Sequence, residues 1–375
     1  MKVIVQELKS RAAALGFNRV GVIPASPARH LAAYLQWIDA GFHGAMAYMA
    51  RPDRVERRID PRVILPEMES IVCVGLDYNT RSVPPKLAAD PSRGRVSKYA
   101  WGIDYHDIMI PRLEELAAWL SEQDSKVRSR VYVDTGAILE RDHAAAAGLG
   151  FIGKNTMLIA PRGGSWLFLG ELLTTLCLPV DDLPASIPGC GTCSRCLESC
   201  PTQAFPAPYV LDSRRCISYL TIELKEWIPP ELRPLMANWI YGCDVCQEVC
   251  PFNRFALPTN EKAFWPGKWV DDAAPPLLEL LTLDEEAFDQ RFSGSPIKRI
   301  KRHRLVRNAC VAAGNWGNVT AVPRLIGLLS DPASLVRGHA AWALRQIGTD
   351  AAYAALQSAL AVEQDNEVRR ELSGN

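Results

Sequence analysis

Apolar and polar residues follow two different periods along the first half of the chain. The runs RVGVI, SIVCVGL and RVYVD, which start at positions 19, 70 and 130, are short and rich in β-branched residues, so they predict strands. The segment DIMIPRLEELAAWLSEQ at 107–123 places its apolar residues at helical spacing, as does the chain up to Gly16. Alternating strands and helices predict an α/β sandwich over residues 1–180.

The pattern changes to repeats beyond about residue 290. A Val-Arg pair recurs at 306–307, 336–337 and 368–369, with spacings of 30 and 32 residues. Such a period suits a pair of short helices per unit and predicts all-α HEAT-like repeats over 291–375. Two units and a fraction are too few to be stable alone, so we expect them to pack on the preceding domain.

Cysteines are concentrated in the middle of the chain, where eight of the eleven lie between Cys190 and Cys250. The run CGTCSRCLESCP at 190–201 has the C-x2-C-x2-C-x3-C-P spacing of bacterial ferredoxins, in which the fourth cysteine serves the other cluster. The run GCDVCQEVCP at 242–251 has the same ending but lacks one cysteine. The two runs predict a ferredoxin-like module with two 4Fe–4S clusters over 181–260, followed by an acidic linker at 261–290.

The eighth cluster ligand has to come from outside these runs. Cys73 and Cys177 lie in strand-like apolar runs and Cys310 on a helix of the repeats, so we expect three core thiols. Cys216 lies between the runs in a polar setting, and we predict it as the missing ligand. A pair of structural zinc sites is the alternative, which two interleaved runs ending in Cys-Pro disfavour. The predicted ligands are Cys190, Cys193, Cys196 and Cys250 for one cluster and Cys200, Cys216, Cys243 and Cys246 for the other.

Composition and charge narrow the function classes. The chain has 375 residues with 42 basic and 42 acidic side chains, so any surface that binds a polyanion must be local. Its most apolar run, SWLFLGELLTTLCLPV, is too short to cross a membrane and contains Glu171. The N-terminal segment is typical of an amphipathic helix rather than a signal peptide. We expect a cytoplasmic monomer whose thiols stay reduced.

The charge is unevenly distributed in the repeat region. No acidic residue occurs from Gln290 to Ser330. This segment therefore predicts a site for a nucleic-acid backbone. The alternative is a solvated basic face that pairs with the acidic stretch before it. The candidate phosphate-binding residues are Lys298, Arg299, Lys301, Arg302 and Arg304.

Two segments of the α/β part combine aromatic, ionisable and glycine residues. SKYAWGIDYH at 97–106 contains Asp104 and His106, and Asp134 follows a strand-like run, where active-site acids often occur. A glycine-rich turn then leads to Lys154 and Asn155, where a backbone can approach a ligand closely. Each residue has a structural alternative: Asp134 as a turn or cap residue, Lys154 as a surface charge and His106 as a satisfied core histidine.

One cofactor-binding motif is present only in part. The pair Asp104-x-His106 starts like Asp-x-His-x-x-Gly, a motif for cobalamin bound through a protein histidine, but position 109 is methionine. Spacing alone therefore leaves the electron acceptor of the clusters open.

Several segments together resemble the epoxyqueuosine reductase family. They are YAWGIDYH, VDTGAILERDHAAAAGLGFIGKNTMLI, CGTCSRCLESCPTQAF, CISYLTIEL and GCDVCQEVCPFN, in this order and ahead of the HEAT-like repeats. The resemblance covers nearly the whole chain. It implies that the α/β domain binds cobalamin without a histidine ligand. It also implies that the enzyme reduces the epoxide of epoxyqueuosine, at the wobble position of tRNA, to queuosine.

The resemblance also assigns roles to residues. Asp134, in Val-Asp-Thr-Gly, matches the family's proton donor, and Asp104 matches a second acidic residue near the substrate. Residues that would contact the corrin are Lys154, Asn155, Gly163, Ser165, Ser218, Tyr99 and Trp101.

A route for electrons follows from this resemblance. An external donor such as ferredoxin or flavodoxin reduces one cluster, and electrons pass through the other to cobalamin while the basic repeats hold the anticodon stem-loop. Two other functions remain open at this point. One is an electron-transfer subunit for a partner enzyme. The other is a cobalamin-dependent reductive dehalogenase, which is disfavoured because such an enzyme would not need the acid-free basic segment.

Overall fold

A computed structural model describes residues 2–181 and 189–374 of the chain. The chain divides into two compact units, and each unit is assembled from separate segments. The first unit consists of Met1–Thr80, Ile103–Arg214 and Val245–Phe264, and the second of Arg81–Gly102, Arg215–Asp244 and Trp265–Asn375. The predicted boundaries at 180, 260 and 290 therefore do not coincide with those of the compact units, because 81–102 and 215–244 belong with the repeats.

Strands occur mostly in the first unit. In chain order they are β1 (Arg19–Pro24), β2 (Ser70–Asp77), β3 (Arg95–Val96), β4 (Ser129–Tyr132), β5 (Phe151–Ile152), β6 (Leu158–Ile159), β7 (Leu167–Thr174) and β8 (Trp239–Tyr241).

A four-stranded sheet with the order β1-β2-β7-β4 forms the centre of the first unit, and all its pairs are antiparallel. Every residue from Ile71 to Leu76 in β2 is buried, so both faces of the sheet are covered. This confirms the three strands that the short β-branched runs predicted. Cys73 is a core thiol as expected, whereas Cys177 is exposed and lies beyond the end of β7 at Thr174, so its placement in a strand and in the core was wrong.

Helices surround this sheet and make up most of the second unit. In chain order they are α1 (Lys2–Ala14), α2 (Leu31–Asp39), α3 (Ala47–Ala50), α4 (Pro52–Ile59), α5 (Pro85–Ala88), α6 (Tyr105–Gln123), α7 (Glu140–Ala146), α8 (Arg195–Glu198), α9 (Val245–Glu248), α10 (Trp269–Ala273), α11 (Leu277–Leu280), α12 (Glu285–Arg291), α13 (Lys301–Trp316), α14 (Val322–Leu328), α15 (Ser334–Ile347), α16 (Asp350–Val362) and α17 (Asn366–Ser373).

Helix α6 packs on the sheet through a stripe of buried residues, Met109, Leu113, Leu116 and Leu120, which recur every three or four positions. None of the helices in the described ranges is long and apolar enough to cross a membrane.

The C-terminal helices of the second unit stack as the repeat pattern predicts. Helix α13 packs on α15 and α15 on α17, while α14 packs on α16. The valine of each Val-Arg pair is fully buried in this stack. Gly317 and Gly348 adopt left-handed backbone conformations directly after α13 and α15, which ends those helices without a Cβ penalty.

The structure corrects the prediction for two of the five basic residues. Arg302 is buried, donating to the carbonyl of Leu283 and to the carboxylate of Asp331 at 2.6 Å each. Arg304 is buried as well and donates to the carbonyl of Ile222 at 2.6 Å. Both guanidinium groups therefore donate their hydrogen bonds to protein oxygens instead of to phosphate, because a buried cation has to be paired or hydrogen-bonded.

The other three members of the basic cluster, Lys298, Arg299 and Lys301, are exposed. Lys298 pairs with Asp289 at 3.3 Å, and Arg291 pairs with Glu279 at 3.2 Å. The acidic stretch before the basic segment thus neutralises part of it, as the alternative interpretation expected. Surface pairs of this kind are weak and can be exchanged for other partners.

Replacing Arg302 with Met should destabilise the second unit rather than change its surface charge alone. The change leaves the Asp331 carboxylate buried without its cation, at a cost of about 3–5 kcal/mol. Thermal unfolding followed by circular dichroism measures the loss. Arg324→Met, at an exposed position of α14, is the matched control and should unfold close to the native temperature; an equally small change in Arg302→Met would contradict the structural role.

Candidate active site and cluster-binding segments

Asp134 follows the last residue of the edge strand β4 by two positions and has a strained backbone. Its φ is +60°, in the left-handed region that side-chain-bearing residues rarely occupy. Two contacts hold it there: its backbone N–H donates to Glu140 Oε1 at 2.6 Å, and the Tyr105 hydroxyl donates to Asp134 Oδ2 at 2.9 Å. The carboxyl group itself is exposed. Backbone strain held by specific contacts is typical of functional sites.

The N-terminus of α6 supplies the tyrosine of this arrangement. Tyr105 is buried, and its ring stacks on Phe168 with 4.3 Å between centroids. Asp104 caps the helix by accepting the backbone N–H of His106 at 3.0 Å, and it also pairs with Nδ1 of the same histidine at 2.9 Å. Asp104 therefore has a structural role in this unit, and His106 is the satisfied histidine that the alternative interpretation expected.

Two further carboxyl groups, Glu140 and Glu171, lie behind Asp134. Burial, and then the charges of Asp134 and Glu171, raise the pKa of Glu140 well above its usual range. Glu171, in the central strand β7, is buried and pairs with Nδ1 of His143 at 2.9 Å. Burial acts to lower the pKa of His143, but the charge and hydrogen bond of Glu171 outweigh it and raise that pKa. Glu140 thus keeps a proton to higher pH than an ordinary glutamate.

The four cysteines predicted for one cluster all belong to the first unit. Burial raises the pKa of the Cys196 thiol, and the charges of Cys190 and Cys250 raise it further. Burial also raises the pKa of the Cys250 thiol, with smaller contributions from the charges of Cys190 and Cys193. The last cysteine of the second run therefore lies beside the first run, which is the exchange expected for two ferredoxin-type clusters. The backbone N–H of Lys154 points at Cys190 Sγ, 3.4 Å away.

Lys154 and Asn155 also contact the cysteine runs. The ammonium of Lys154 donates to the carbonyls of Gly191 at 2.8 Å and Cys193 at 2.9 Å. Asn155 is buried and donates to the carbonyl of Cys246 at 3.4 Å. Lys154 therefore holds the cysteine loop through two hydrogen bonds and is not an unpaired surface charge. Its predicted corrin contact stays a prediction.

The predicted loop at 163–165 contacts the same region. Gly164 has φ +73°, and a Cβ there would lie 2.0 Å from Asn253 Oδ1, so only glycine fits. Ser165 is buried, with its N–H 2.6 Å from Asn253 Oδ1 and its hydroxyl 2.9 Å from Gln247 Oε1. Gly163 approaches Arg19 in the same way. These residues fix the loop to the segment after the second cysteine run.

Cys216 and Cys243 belong to the second unit, whereas Cys200 and Cys246 belong to the first. Cys216 directly precedes Ile217, Ser218 and a π-helical turn, Tyr219–Glu223. Thr221 connects this turn to the other cysteine, because its hydroxyl accepts the N–H of Gly242, the residue before Cys243, at 2.9 Å. The two thiol-bearing segments are therefore held together, which fits two ligands of one cluster; the full ligand set stays a prediction.

Tyr99 and Trp101, predicted to contact the corrin, lie in the second unit. The Tyr99 ring packs against Tyr241 with 5.9 Å between centroids. Trp101 is buried, and its indole N–H donates to the carbonyl of Val96 at 2.8 Å. Trp101 is therefore a core residue, and its predicted corrin contact, like that of Tyr99, stays a prediction.

Four residues that the structure places at these sites were not predicted as site residues from the sequence: Tyr105, Glu140, Arg307 and Asn308. Tyr105 adjoins the candidate Asp104, and Glu140 lies six residues after Asp134 in the same quoted segment. A carboxylate that close to a strained aspartate can satisfy its N–H, and this signal could have identified Glu140. Arg307 and Asn308 are polar residues between apolar ones in α13, with Leu305 and Val306 before them and Ala309 after them.

Family models match three parts of the chain. Residues 58–135 match "Epoxyqueuosine reductase QueG, DUF1730", 189–253 match "4Fe-4S double cluster binding domain" and 302–373 match "HEAT repeats". The epoxyqueuosine reductase of Pseudomonas aeruginosa is 42% identical over 92% of this chain and 95% of its own. The chain belongs to the epoxyqueuosine reductase family. It is thus an oxidoreductase, and its residues 189–253 match a double 4Fe–4S cluster binding domain.

Solved structures agree with this assignment. One is an epoxyqueuosine reductase with an epoxyqueuosine-modified tRNA-Tyr stem-loop, with a TM-score of 0.91, 32% identity and coverage of 99% of this chain and 97% of its own. Another is that of Bacillus subtilis, with its Asp134 catalytic loop swung out of the active site; its TM-score is 0.90, at 31% identity, with coverage of 99% and 98%. The family decides against an electron-transfer subunit and against a dehalogenase.

Cys216→Ala should remove or damage one cluster, because the protein would lose one of its predicted thiolate ligands. Cys177→Ala is the matched control: Cys177 is exposed and outside both runs, so iron should stay near about eight atoms per chain, the count for two cubanes. Iron analysis and EPR of anaerobically purified protein provide the measurement. Full iron in Cys216→Ala would show that the eighth ligand is another residue.

Proposed function

We propose that this enzyme reduces epoxyqueuosine at the wobble position of tRNA to queuosine with Asp134 as the proton donor. The observation that carries the proposal is the exposed Asp134 carboxyl, held at the end of β4 by Tyr105 and Glu140. Support also comes from the relative that was solved with an epoxyqueuosine-modified stem-loop and from the relative with an aspartate on its catalytic loop.

The reaction sets what the side chains must do. Two electrons and two protons convert the epoxide into an alkene and one water molecule, so the departing oxygen has to be protonated twice. When bound, the two clusters supply one-electron carriers, and cobalamin supplies a strongly reducing cobalt centre. Expulsion of unprotonated oxygen is difficult, and a positioned acid speeds such a step by about 100-fold to 10,000-fold.

Asp134 delivers the first proton, and its neighbours keep it in place. The Tyr105 hydroxyl orients one carboxyl oxygen, which leaves the other free to face the substrate oxygen. Glu140 fixes the backbone of the same residue. Because its pKa is raised, Glu140 also provides a protonated carboxyl close behind Asp134 from which a second proton can be supplied.

The tRNA backbone binds the exposed part of the basic segment. Lys298, Arg299 and Lys301 are exposed there, whereas Arg302 and Arg304 are buried. Counterions released from the phosphates supply the binding affinity at such a surface. Bases of the single-stranded loop can leave their stack and enter a pocket.

The electrons come from an external donor such as ferredoxin or flavodoxin. The enzyme acts as a monomer in the cytoplasm, where thiols stay reduced.

Asp134→Asn keeps the shape of the side chain and removes its proton. Turnover of an epoxyqueuosine stem-loop should fall about 100-fold or more, while clusters and cobalamin are retained. Single-turnover assays with nucleoside analysis measure this loss. Asp107→Asn, in the first turn of α6, is the control and should react at the native rate. Near-native turnover of Asp134→Asn would assign the proton to another acid, with Asp104 as the next candidate.

Joint replacement of Lys298, Arg299 and Lys301 with Gln should weaken tRNA binding at low salt. The slope of log K against log salt should flatten by about two to three units, because each lost phosphate contact reduces it by about 0.9. Binding titrations at several salt concentrations measure the slope.

The control replaces three exposed cations of the first unit, Arg11, Arg62 and Lys126, with Gln, and should leave the slope unchanged. If both triple variants bind alike, the phosphate-binding surface lies elsewhere on the chain.

A further inference from the structure

Arg307 is a fully buried cation in α13 that the reaction described above does not use. Its side chain has 0% exposure. Nη1 donates to the carbonyls of Leu224 at 2.8 Å and Glu226 at 2.7 Å, and Nη2 donates to that of Leu220 at 2.8 Å. Nε and Nη2 also donate to Asn308 Oδ1, so all five guanidinium N–H groups have partners.

These contacts are made to the turn that follows Cys216. The carbonyls at the end of a helical turn have no partners within it and need other donors. Asn308 donates to the carbonyls of Thr221 at 2.9 Å and Ile240 at 2.8 Å, and Arg304 donates to Ile222. Helix α13 thus holds both the segment after Cys216 and the strand that leads to Cys243.

The charge of Arg307 is not balanced by the surrounding protein. Within the described residues no carboxylate forms an ion pair with it, and the charges that act on it come from Arg304 and Arg233. Burial and these two cations lower the pKa of Arg307 to about 9, so it stays protonated at neutral pH. An isolated buried cation is costly, and such groups are normally paired with an anion.

We propose that the Arg307 cation compensates the negative charge of the cluster bound by Cys216 and Cys243 and thereby raises its midpoint potential. A 4Fe–4S cluster with four thiolate ligands is a net anion and becomes more negative on reduction. Net charge and hydrogen bonding set its potential. A buried cation bonded to the segment after Cys216 favours the reduced form, so this cluster is easier to reduce than it would be without Arg307.

Potentiometric titration followed by EPR on Arg307→Gln and Arg307→Lys tests the proposal. Arg307→Gln removes the charge and should shift the midpoint potential of one cluster to a more negative value, leaving the other cluster unchanged. Arg307→Lys keeps the charge but loses most of the hydrogen bonds, and its potential should lie closer to the native one. Arg324→Gln, an exposed cation of α14, should change neither potential.

Both potentials at their native values in iron-replete Arg307→Gln would overturn the proposal, as would an equal shift in the Gln and Lys variants. If Arg307→Gln does not fold, Arg304→Gln removes the neighbouring cation and should give a shift in the same direction; no shift there would also overturn it. The inference rests on ligation by Cys216, which is tested separately. Full iron in Cys216→Ala refutes the ligand, whereas lost iron there with unshifted Arg307 variants refutes only the charge effect.

Discussion

Carbonyl groups at the end of a short helical turn need hydrogen-bond donors, and the second unit depends on how they are satisfied. The π-helical turn Tyr219–Glu223 obtains its donors from Arg304, Arg307 and Asn308 of α13. The same asparagine reaches the carbonyl of Ile240, and Thr221 holds Gly242. A repeat helix therefore fixes two segments that carry cluster cysteines. π-Helical turns occur often at functional sites, and here the turn begins next to Ser218.

An analogous constraint shapes the catalytic end of the first unit. Asp134 has a left-handed backbone, and this conformation persists because Glu140 accepts its N–H and Tyr105 binds its carboxyl. Glu140 begins α7 and Tyr105 begins α6, so the acid is positioned by the first residues of two helices. Lys154, in a loop of the same unit, donates hydrogen bonds to two carbonyls of the first cysteine run and so holds it in place. Acid and cluster segments are thus parts of one framework within the unit.

Much of this arrangement could be predicted from the sequence, since some chemistry requires fixed spacing. Cubane clusters demand closely spaced thiolates, and stacked repeats show a pattern that recurs at a fixed period, here the Val-Arg pair, so both were recognisable. Asp134 was found because it ends a strand-like run. The burial of Arg302 and Arg304 was not foreseen, because a count of charges does not show which helix face they occupy. Their immediate neighbours in α13, Lys301 and His303, are polar as well, so the local sequence gives no sign of burial.

Other differences also have physical causes. Cys177 was placed in a strand because its run is apolar, but β7 ends at Thr174, whose hydroxyl accepts the N–H of Leu176 at 3.2 Å. The burial of Trp101 was not foreseen either, although its corrin contact, implied by the family resemblance, stays a prediction. Its indole N–H satisfies the carbonyl of Val96 inside the core. Local hydrogen bonds of this kind decide such cases, and the hydrophobic pattern does not reveal them.

Nucleoside analysis after an anaerobic reaction tests the central claim most directly. The purified enzyme, with its clusters and cobalamin, is given a chemical reductant and an anticodon stem-loop that contains epoxyqueuosine. Mass spectrometry of the digested RNA should then show queuosine, lighter by one oxygen atom, in place of the epoxide. An unchanged epoxide in the presence of fully reduced enzyme would contradict the account.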